Sequence, residues 1–254
     1  MMNTRVIILA AGKGKRMGAD VPKPLVPIAG RPMIAHLLDS VIASGVDTLP
    51  VVVVAPDSQQ LFADALHGLC AFALQKEQLG TGHAVMSAKD VVGDAGRVVI
   101  LYGDHPFIPA STLRELVALH DKRPNAVAML TSTVPDFTGK YEAFKGWARV
   151  IRDEHGEVVA IREAKDCTDG ECAVREVNPG IYAFPAVWMW ERLPQLGNAN
   201  ANGEYYLTEL FTMAFAEGMT VVTADADPLH VMGVNTPEEL QSAEEIFSLS
   251  KEQK

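Results

Sequence analysis

The stretch Arg5-Val6-Ile7-Ile8-Leu9-Ala10-Ala11-Gly12-Lys13-Gly14-Lys15-Arg16-Met17-Gly18 decides how this chain is read. Its first part is a short apolar run that breaks at Gly12, the pattern of a strand buried on both faces. Its second part is a loop of small and basic residues. A P-loop needs four residues between its glycines, followed by Lys and Ser or Thr, and this loop fails that test. A dinucleotide fingerprint needs a glycine three after Gly14, where Met17 stands. What remains is a small-residue loop at the carboxyl end of a strand, where open α/β sheets bind ligands. Backbone N–H groups in such a loop can approach phosphate oxygens closely. A solvated turn with scattered charges fits the segment, taken alone, equally well.

The charge balance sharpens the reading. The chain has 254 residues and a net charge of −10. Between residues 13 and 23, Lys13, Lys15, Arg16 and Lys23 face one acid, Asp20, so this segment is +3 and the remainder −13. A small positive loop in an acidic body suits a polyanionic small molecule and argues against nucleic acid and anionic membrane as partners. Neither the run at Val6–Ala11 nor the later one around Leu49–Ala55 is long enough for a signal peptide or a membrane span. Cys70, Cys167 and Cys172 form no disulfide framework, and Cys167 and Cys172 lack the second ligand pair of a zinc site. No His-Glu-x-x-His pattern supports a zinc hydrolase. Free thiols and a cytoplasmic location are the expectation.

Outward from the first strand, buried strands are expected at Val51–Val54, Ala71–Leu74 and Val98–Leu101. Ile34, Leu37, Leu38, Val41 and Ile42 recur at helix spacing, with Gly45 as the stop. Thr112 and Glu115 have capping-box spacing for another helix, with Leu113, Leu116 and Val117 on one face. This alternation predicts a mainly parallel twisted sheet with helices on both faces. From 146 to 184 the pattern changes to strands at Ala148–Arg152, Val158–Arg162 and Val177–Phe184. Turns are expected at His155-Gly156 and Asp169-Gly170. No Pro/Ser-rich linker precedes this region, so it reads as a smaller mixed-sheet lobe on one domain spanning residues 1–254. Thr236, Pro237 and Glu239 announce a last helix over about 236–249, with Leu240, Ala243 and Phe247 sharing a face.

Taken together, the segments resemble a family. The opening loop with Pro22-Lys23-Pro24-Leu25 is similar to the signature of the sugar-1-phosphate nucleotidyltransferases. The resemblance continues through Gln75-Lys76-Glu77-Gln78-Leu79-Gly80-Thr81-Gly82-His83-Ala84, Leu101-Tyr102-Gly103-Asp104 and Glu176-Val177-Asn178-Pro179-Gly180. It ends with Gly203-Glu204-Tyr205-Tyr206-Leu207-Thr208 and Gly233-Val234-Asn235. The whole run, from residue 6 to about 247, looks like the uridylyltransferase domain of the N-acetylglucosamine-1-phosphate branch.

That resemblance implies a Rossmann-like nucleotidyltransferase fold, with a nucleotide-binding half over about 1–110 and a sugar-binding half over about 111–235. It implies UTP and a sugar-1-phosphate as substrates and Mg²⁺ as cofactor. Arg16 and Lys23 would be the catalytic cations on phosphate. Leu9, Ala10, Ala11, Gly12, Gln75, Gln78, Gly80, Thr81, Tyr102 and Gly103 would line the nucleotide site. The uracil would meet backbone near Ala10 and Gly80 and the Gln75 amide. Ala148, Glu163, Asn178, Tyr206 and Thr208 would meet the sugar, and Asp104 with Asn235 would hold the metal. Nothing in spacing joins positions 104 and 235; the resemblance alone pairs them.

Two departures stand out. Gly146-Trp147-Ala148-Arg149 replaces the family's Gly-Tyr-Gly-Arg run, and the Ala148 Cβ is expected to narrow the sugar pocket or shift its loop. The chain also stops after one helix and a polar tail, so the acetyltransferase β-helix of bifunctional relatives, and its trimer, are not expected. Other readings are the same chemistry on another sugar or base, or a non-catalytic sugar-nucleotide-binding module. A glycosyltransferase is disfavoured because Asp104-His105-Pro106 gives no Asp-x-Asp motif.

Overall fold

The computed structural model describes residues 2–12, 21–200 and 203–252. Its strands are β1 Thr4–Leu9, β2 Pro27–Ile28, β3 Arg31–Pro32, β4 Val51–Val54, β5 Ala71–Leu74 and β6 Arg97–Tyr102. They continue as β7 Val127–Thr133, β8 Arg149–Arg152, β9 Val158–Arg162, β10 Glu176–Val177, β11 Tyr182–Pro185 and β12 Val221–Asp225. Among the described residues, ten strands form one sheet in the order β5-β4-β1-β6-β11-β7-β10-β8-β9, with β12 pairing β7. β2 and β3 make a separate hairpin.

The first half of the sheet is parallel. β1 pairs with β4 and β6, and β4 pairs with β5, all in parallel register. Beyond β6 the sheet is mixed: β11, β10, β8 and β9 join by antiparallel pairings, and β12 lies parallel to β7. The strand period of two sorts the core. Val6, Ile8, Val52 and Val54 point to one face, where the Met33–Ser44, Gln59–Leu66 and Ala110–Lys122 helices pack Leu37, Phe62 and Leu113 against them. Ile7, Leu9, Val51 and Val53 point to the other, against Val85, Met189 and Phe211. Both faces are dry, so these strands read as continuous apolar runs without alternation.

Several local expectations hold for identifiable reasons. The Met33–Ser44 helix ends at Gly45 in a left-handed conformation (φ +72°), which glycine adopts without a Cβ penalty. The β8–β9 hairpin turns at Gly156 (φ +83°). Thr236 and Glu239 form the expected capping box of the Pro237–Glu252 helix: Glu239 N–H donates to Thr236 Oγ1 and Thr236 N–H to Glu239 Oε2, both at 3.2 Å.

Three expectations are corrected. Thr112 does not cap its helix, which begins at Ala110 with Pro109 at the cap position. The proline sits in extended backbone and its carbonyl already takes the Thr112 N–H at 3.1 Å, so the Thr112–Glu115 spacing falls inside the helix. Val177–Phe184 is two strands, not one. Pro179 has no N–H to give a ladder, Gly180 has φ +82°, and Asn178 Oδ1 accepts the Gly180 N–H at 2.9 Å, so the chain turns there and changes partners. Asp169-Gly170 starts a short helix, Asp169–Cys172, in place of a turn, because Thr168 and Glu171 cap it reciprocally.

On the Ala110–Lys122 helix, His120 is fully buried and neither ring nitrogen has a hydrogen-bond partner. Burial, with the nearby Arg97 charge adding and Asp121 opposing, pushes its pKa down to about 4. The unfolded imidazole takes up a proton near its ordinary value, so stability is intact above that value and is lost as pH falls toward 4. Between pH 7 and pH 5 this one group is expected to cost about 2 kcal/mol of unfolding free energy. In urea titrations, His120→Leu should lose correspondingly less stability over that interval than the native protein. Equal losses in the two proteins would contradict this.

Candidate active site

The carboxyl ends of β1, β5 and β6 open into a cavity of about 570 Å³. Leu9, Ala10, Ala11, Gly12, Lys23, Gln75, Gln78, Gly80, Thr81, Tyr102, Asp104 and Asn235 line it, together with Pro24, Ala84 and Glu204. Sequence reasoning placed twelve of these fifteen; Pro24, Ala84 and Glu204 carried no signal beyond lying in matched blocks. Arg16, the other expected cation, lies outside the described residues. Gly103 is behind the wall. Its N–H donates to Leu9 O at 2.9 Å, and a Cβ would stand 3.3 Å from that oxygen and from Pro24, so it lets β1 and the Lys23–Leu25 turn approach β6.

One end of the cavity is polar and charged. The Lys23 ammonium donates to Asp104 Oδ2 and, at 2.8 Å, to Asn235 Oδ1. A backbone bond from Val234 N–H to Asp104 C=O, 2.9 Å, sets the segment ahead of the last helix beside the end of β6. The capping glutamate then anchors Asn235, accepting its N–H at 2.5 Å. Burial pushes the Asp104 carboxyl up, but a protonated His105 and the Lys23 ammonium pull it down and win, so it titrates below the usual carboxylate range. His105 is itself pushed below its ordinary value, first by burial, with Lys23 adding and Asp104 opposing. At neutral pH the ring is therefore uncharged, and Lys23 is the cation that keeps Asp104 ionised. His105 lies between the Tyr102 and Trp147 rings, each 6.0 Å away, and Gly233 leaves it room, since a Cβ there would meet Nε2 at 2.9 Å.

The other end is built from hydrogen-bonding edges. Gln75 is buried, and its Nε2 donates to Gly80 O at 3.0 Å and meets His83 Nδ1 at 3.1 Å. A carbonyl only accepts, so the amide NH₂ must face Gly80, and this fixes the orientation of the side chain. Both Gln75 donors are thereby used, leaving Oε1 as its acceptor. The Ala10 N–H is likewise committed, to Val53 O at 2.9 Å.

Two sequence blocks, joined across 126 positions by the Leu207–Thr81 bond, form this wall together. Tyr205 N–H donates to Leu79 O and Gly82 N–H to Tyr205 O, both at 2.8 Å, and Leu207 N–H donates to Thr81 Oγ1 at 3.0 Å. Gly80 has φ +109°, and a Cβ on it would stand 2.7 Å from Tyr205 O.

The residues expected to meet a sugar do not line this cavity. Glu163 and Thr208 lie side by side. Burial raises the Glu163 carboxyl, Lys165 and the Thr208 side chain oppose, and Asp166 adds to the rise. Tyr206 stands under the Lys165 ammonium, 5.8 Å from the ring centre. Asn178 Nδ2 donates to Tyr182 Oη at 2.8 Å and its N–H to Ala148 O at 2.9 Å. Ala148 itself is buried, facing inward as a backbone partner. Gly180 packs its α-carbon under the Tyr102 ring, where a Cβ would be 2.7 Å away. Tyr102 thus joins the two groups of residues. Arg149 holds the Trp147 loop from beneath: its guanidinium is fully buried and donates to the carbonyls of Trp147 and, at 3.0 Å, Lys145.

The MobA-like NTP transferase domain matches residues 6–209. The chain belongs to that family. Among curated proteins, the Bifunctional protein GlmU of Pelobacter propionicus is 43% identical over 251 residues, covering 97% of this chain and 53% of that protein. The one from Cupriavidus necator is 42% identical over 245 residues, covering 95% and 51%. This NTP transferase chain therefore spans about half the length of the curated relatives it matches.

Solved structures share the fold. A CMP:2-keto-3-deoxy-manno-octonic acid synthetase complexed with CTP superposes with TM-score 0.73 at 19% identity, covering 98% of this chain and 99% of that one. A Bacillus anthracis protein described as a glucose-1-phosphate thymidylyltransferase, in complex with a sucrose, gives TM-score 0.76 at 20% identity, covering 96% and 94%. The described residues contain no helix long and apolar enough to cross a membrane.

Gly80→Ala tests the wall. The left-handed backbone and the collision with Tyr205 O are together expected to cost about 2 kcal/mol or more in urea unfolding. Gly45→Ala, at φ +72° and with nothing within 4 Å of the new Cβ, should lose about 1 kcal/mol. Equal losses at the two positions would show that the Gly80–Tyr205 contact does not hold the wall.

Proposed function

We propose that the chain transfers a uridylyl group from UTP to N-acetylglucosamine-1-phosphate, releasing pyrophosphate with the help of Mg²⁺. The observation that carries this reading is a single cavity that joins Lys23, Asp104 and Asn235 at one end to Gln75 and Gly80 at the other. The first end suits phosphate charge and the second suits the edge of a base. Identity above 40% to GlmU proteins over nearly the whole chain supports the same reading.

The residues fit the cation. Among the described residues no three His, Cys, Asp or Glu side chains gather into a metal cage. Asp104 and Asn235 offer one carboxylate and one amide oxygen already turned toward a positive charge. That set suits a hard ion that keeps several waters and takes its remaining ligands from phosphate. When bound, Mg²⁺ would supply charge neutralisation on the phosphate oxygens.

The chain's own residues do the rest by positioning and electrostatics. A sugar-phosphate oxygen attacks the α-phosphorus of UTP and forms the new P–O bond. The α–β bridging bond breaks in line, and its electron pair leaves on pyrophosphate. The attacking oxygen is already ionised at neutral pH, so no general base is required. Lys23 lies where it can offset charge on the reacting phosphates, and Arg16, by its place in the matched signature, is assigned to the leaving pair. Gln75 Oε1 and the Ala10 carbonyl are acceptors for the N3–H of uracil, while the Gly80 N–H is a donor for a ring carbonyl. In cytosine the N3 position is a lone pair, so this edge disfavours CTP. Glu163, Thr208, Asn178 and Tyr206 are assigned to the sugar, with the Ala148 carbonyl tied to the Asn178 backbone.

The test is pyrophosphate release with Mg²⁺, crossing UTP, dTTP, CTP and ATP with the 1-phosphates of N-acetylglucosamine, glucose and N-acetylmuramic acid. UTP with N-acetylglucosamine-1-phosphate should exceed every other pair in kcat/KM by at least about 100-fold. A different best pair would move the specificity and keep the chemistry. Folded protein that binds UTP yet releases no pyrophosphate with any pair would overturn the enzymatic reading in favour of a binding module.

A further inference from the structure

The Lys23 ammonium has three donors and no acceptor, and two of them are directed at Asp104 Oδ2 and Asn235 Oδ1, one oxygen from each residue assigned to a divalent cation. Asp104 and Lys23 are both largely buried, and Asn235 is half-buried beside them. The three residues come from separate parts of the chain: the turn before the β2–β3 hairpin, the end of β6, and the segment ahead of the last helix. An ammonium and a hard divalent cation seek the same oxygens, and their mutual repulsion at contact distance sets them in competition for Asp104 and Asn235. Lys23 also lines the cavity, so its side chain has an open side toward which to swing.

We propose that Lys23 is a built-in occupant of the cation position: it pairs with Asp104 and Asn235 while no nucleotide is bound, and it is displaced onto phosphate when a divalent cation enters with the nucleotide. The proposal rests on the metal site named above. It gives one lysine two successive partners. In the nucleotide-free protein it neutralises a buried carboxylate that would otherwise stand unpaired. In the loaded protein the same charge is released beside the triphosphate, where the incoming phosphate oxygens replace the lost ion pair. Metal and nucleotide then bind with positive coupling, because each removes a cost of binding the other. A lysine that served only as a phosphate ligand, held away from Asp104 and Asn235, would weaken cation binding in the absence of nucleotide far less.

The experiment measures Mn²⁺ binding by the loss of the free-ion EPR signal, with and without UTP. It compares the native protein, Lys23→Met, Lys23→Arg and Asp104→Asn, each first checked for native circular dichroism. Binding that Asp104→Asn removes is counted as the site. Without UTP, Lys23→Met should bind Mn²⁺ at that site about tenfold more tightly than the native protein, and Lys23→Arg, which keeps a cation, should not. With UTP the advantage of Lys23→Met should vanish or reverse, since methionine cannot pair with phosphate.

An Asp104-dependent site whose affinity is unchanged or weakened in Lys23→Met would overturn the proposal and leave the uridylyl-transfer reading standing. Absence of any Asp104-dependent site, even with UTP, would overturn the metal assignment itself and this proposal with it.

Discussion

A single ammonium group, on Lys23, holds the reacting end of this molecule together. The protein carries a net charge of −10, and at the mouth of its sheet it must keep Asp104 ionised in a largely buried position. An unpaired carboxylate there would take up a proton or drive the loop apart. Lys23 prevents both, and by reaching Asn235 it also ties the last helix to the sheet. The neutral His105, stacked on Tyr102 and Trp147, fills the floor without adding charge.

The doubly covered sheet makes this possible. Four parallel strands end on the same side, so the loops after β1 and β6 face each other across the width of one strand pair. Gly103 brings those loops into contact, and Val234 adds a third segment through one backbone bond to Asp104. The opposite end of the cavity uses a different device. Gly80 and Tyr205 interlock backbone to backbone, which locks the Gln75 amide in one orientation and presents an acceptor to the ligand. Tyr102, with Gly180 beneath it, relates this nucleotide side to the Glu163–Thr208 side. In the proposed reaction, specificity for a base and for a sugar would thus reside on separate elements that share one wall.

Much of this was legible in the sequence, and the reasons are physical. β4 matches its apolar run residue for residue because both faces are buried and Pro56 follows closely; β5 matches too, where its apolar run gives way to the polar Gln75-Lys76-Glu77-Gln78. The Thr236–Glu239 box was readable because capping is local. Thr112 misled because the same local signal was overridden three residues earlier by Pro109. β7 and β12 were not identified; their pairing joins segments nearly a hundred residues apart, with no local mark of the partner. At the site, the lining residues came from matched blocks, and Asp104 and Asn235 do converge. The bond that brings them together is between backbone atoms, which no residue type announces. His105 and Arg149 were missed as well, since a buried histidine between rings and a buried arginine under carbonyls leave no spacing pattern.

The most direct test is a crystal structure of the protein with UTP and Mn²⁺, using anomalous scattering to place the metal. A Mn²⁺ peak within coordination distance of Asp104 and Asn235, with the Lys23 ammonium moved to a phosphate oxygen and the uracil against Gln75 Oε1, is the expected result. A nucleotide seated in the cavity with Lys23 still bound to Asp104 and the metal elsewhere would contradict the electrostatic arrangement on which the site is built.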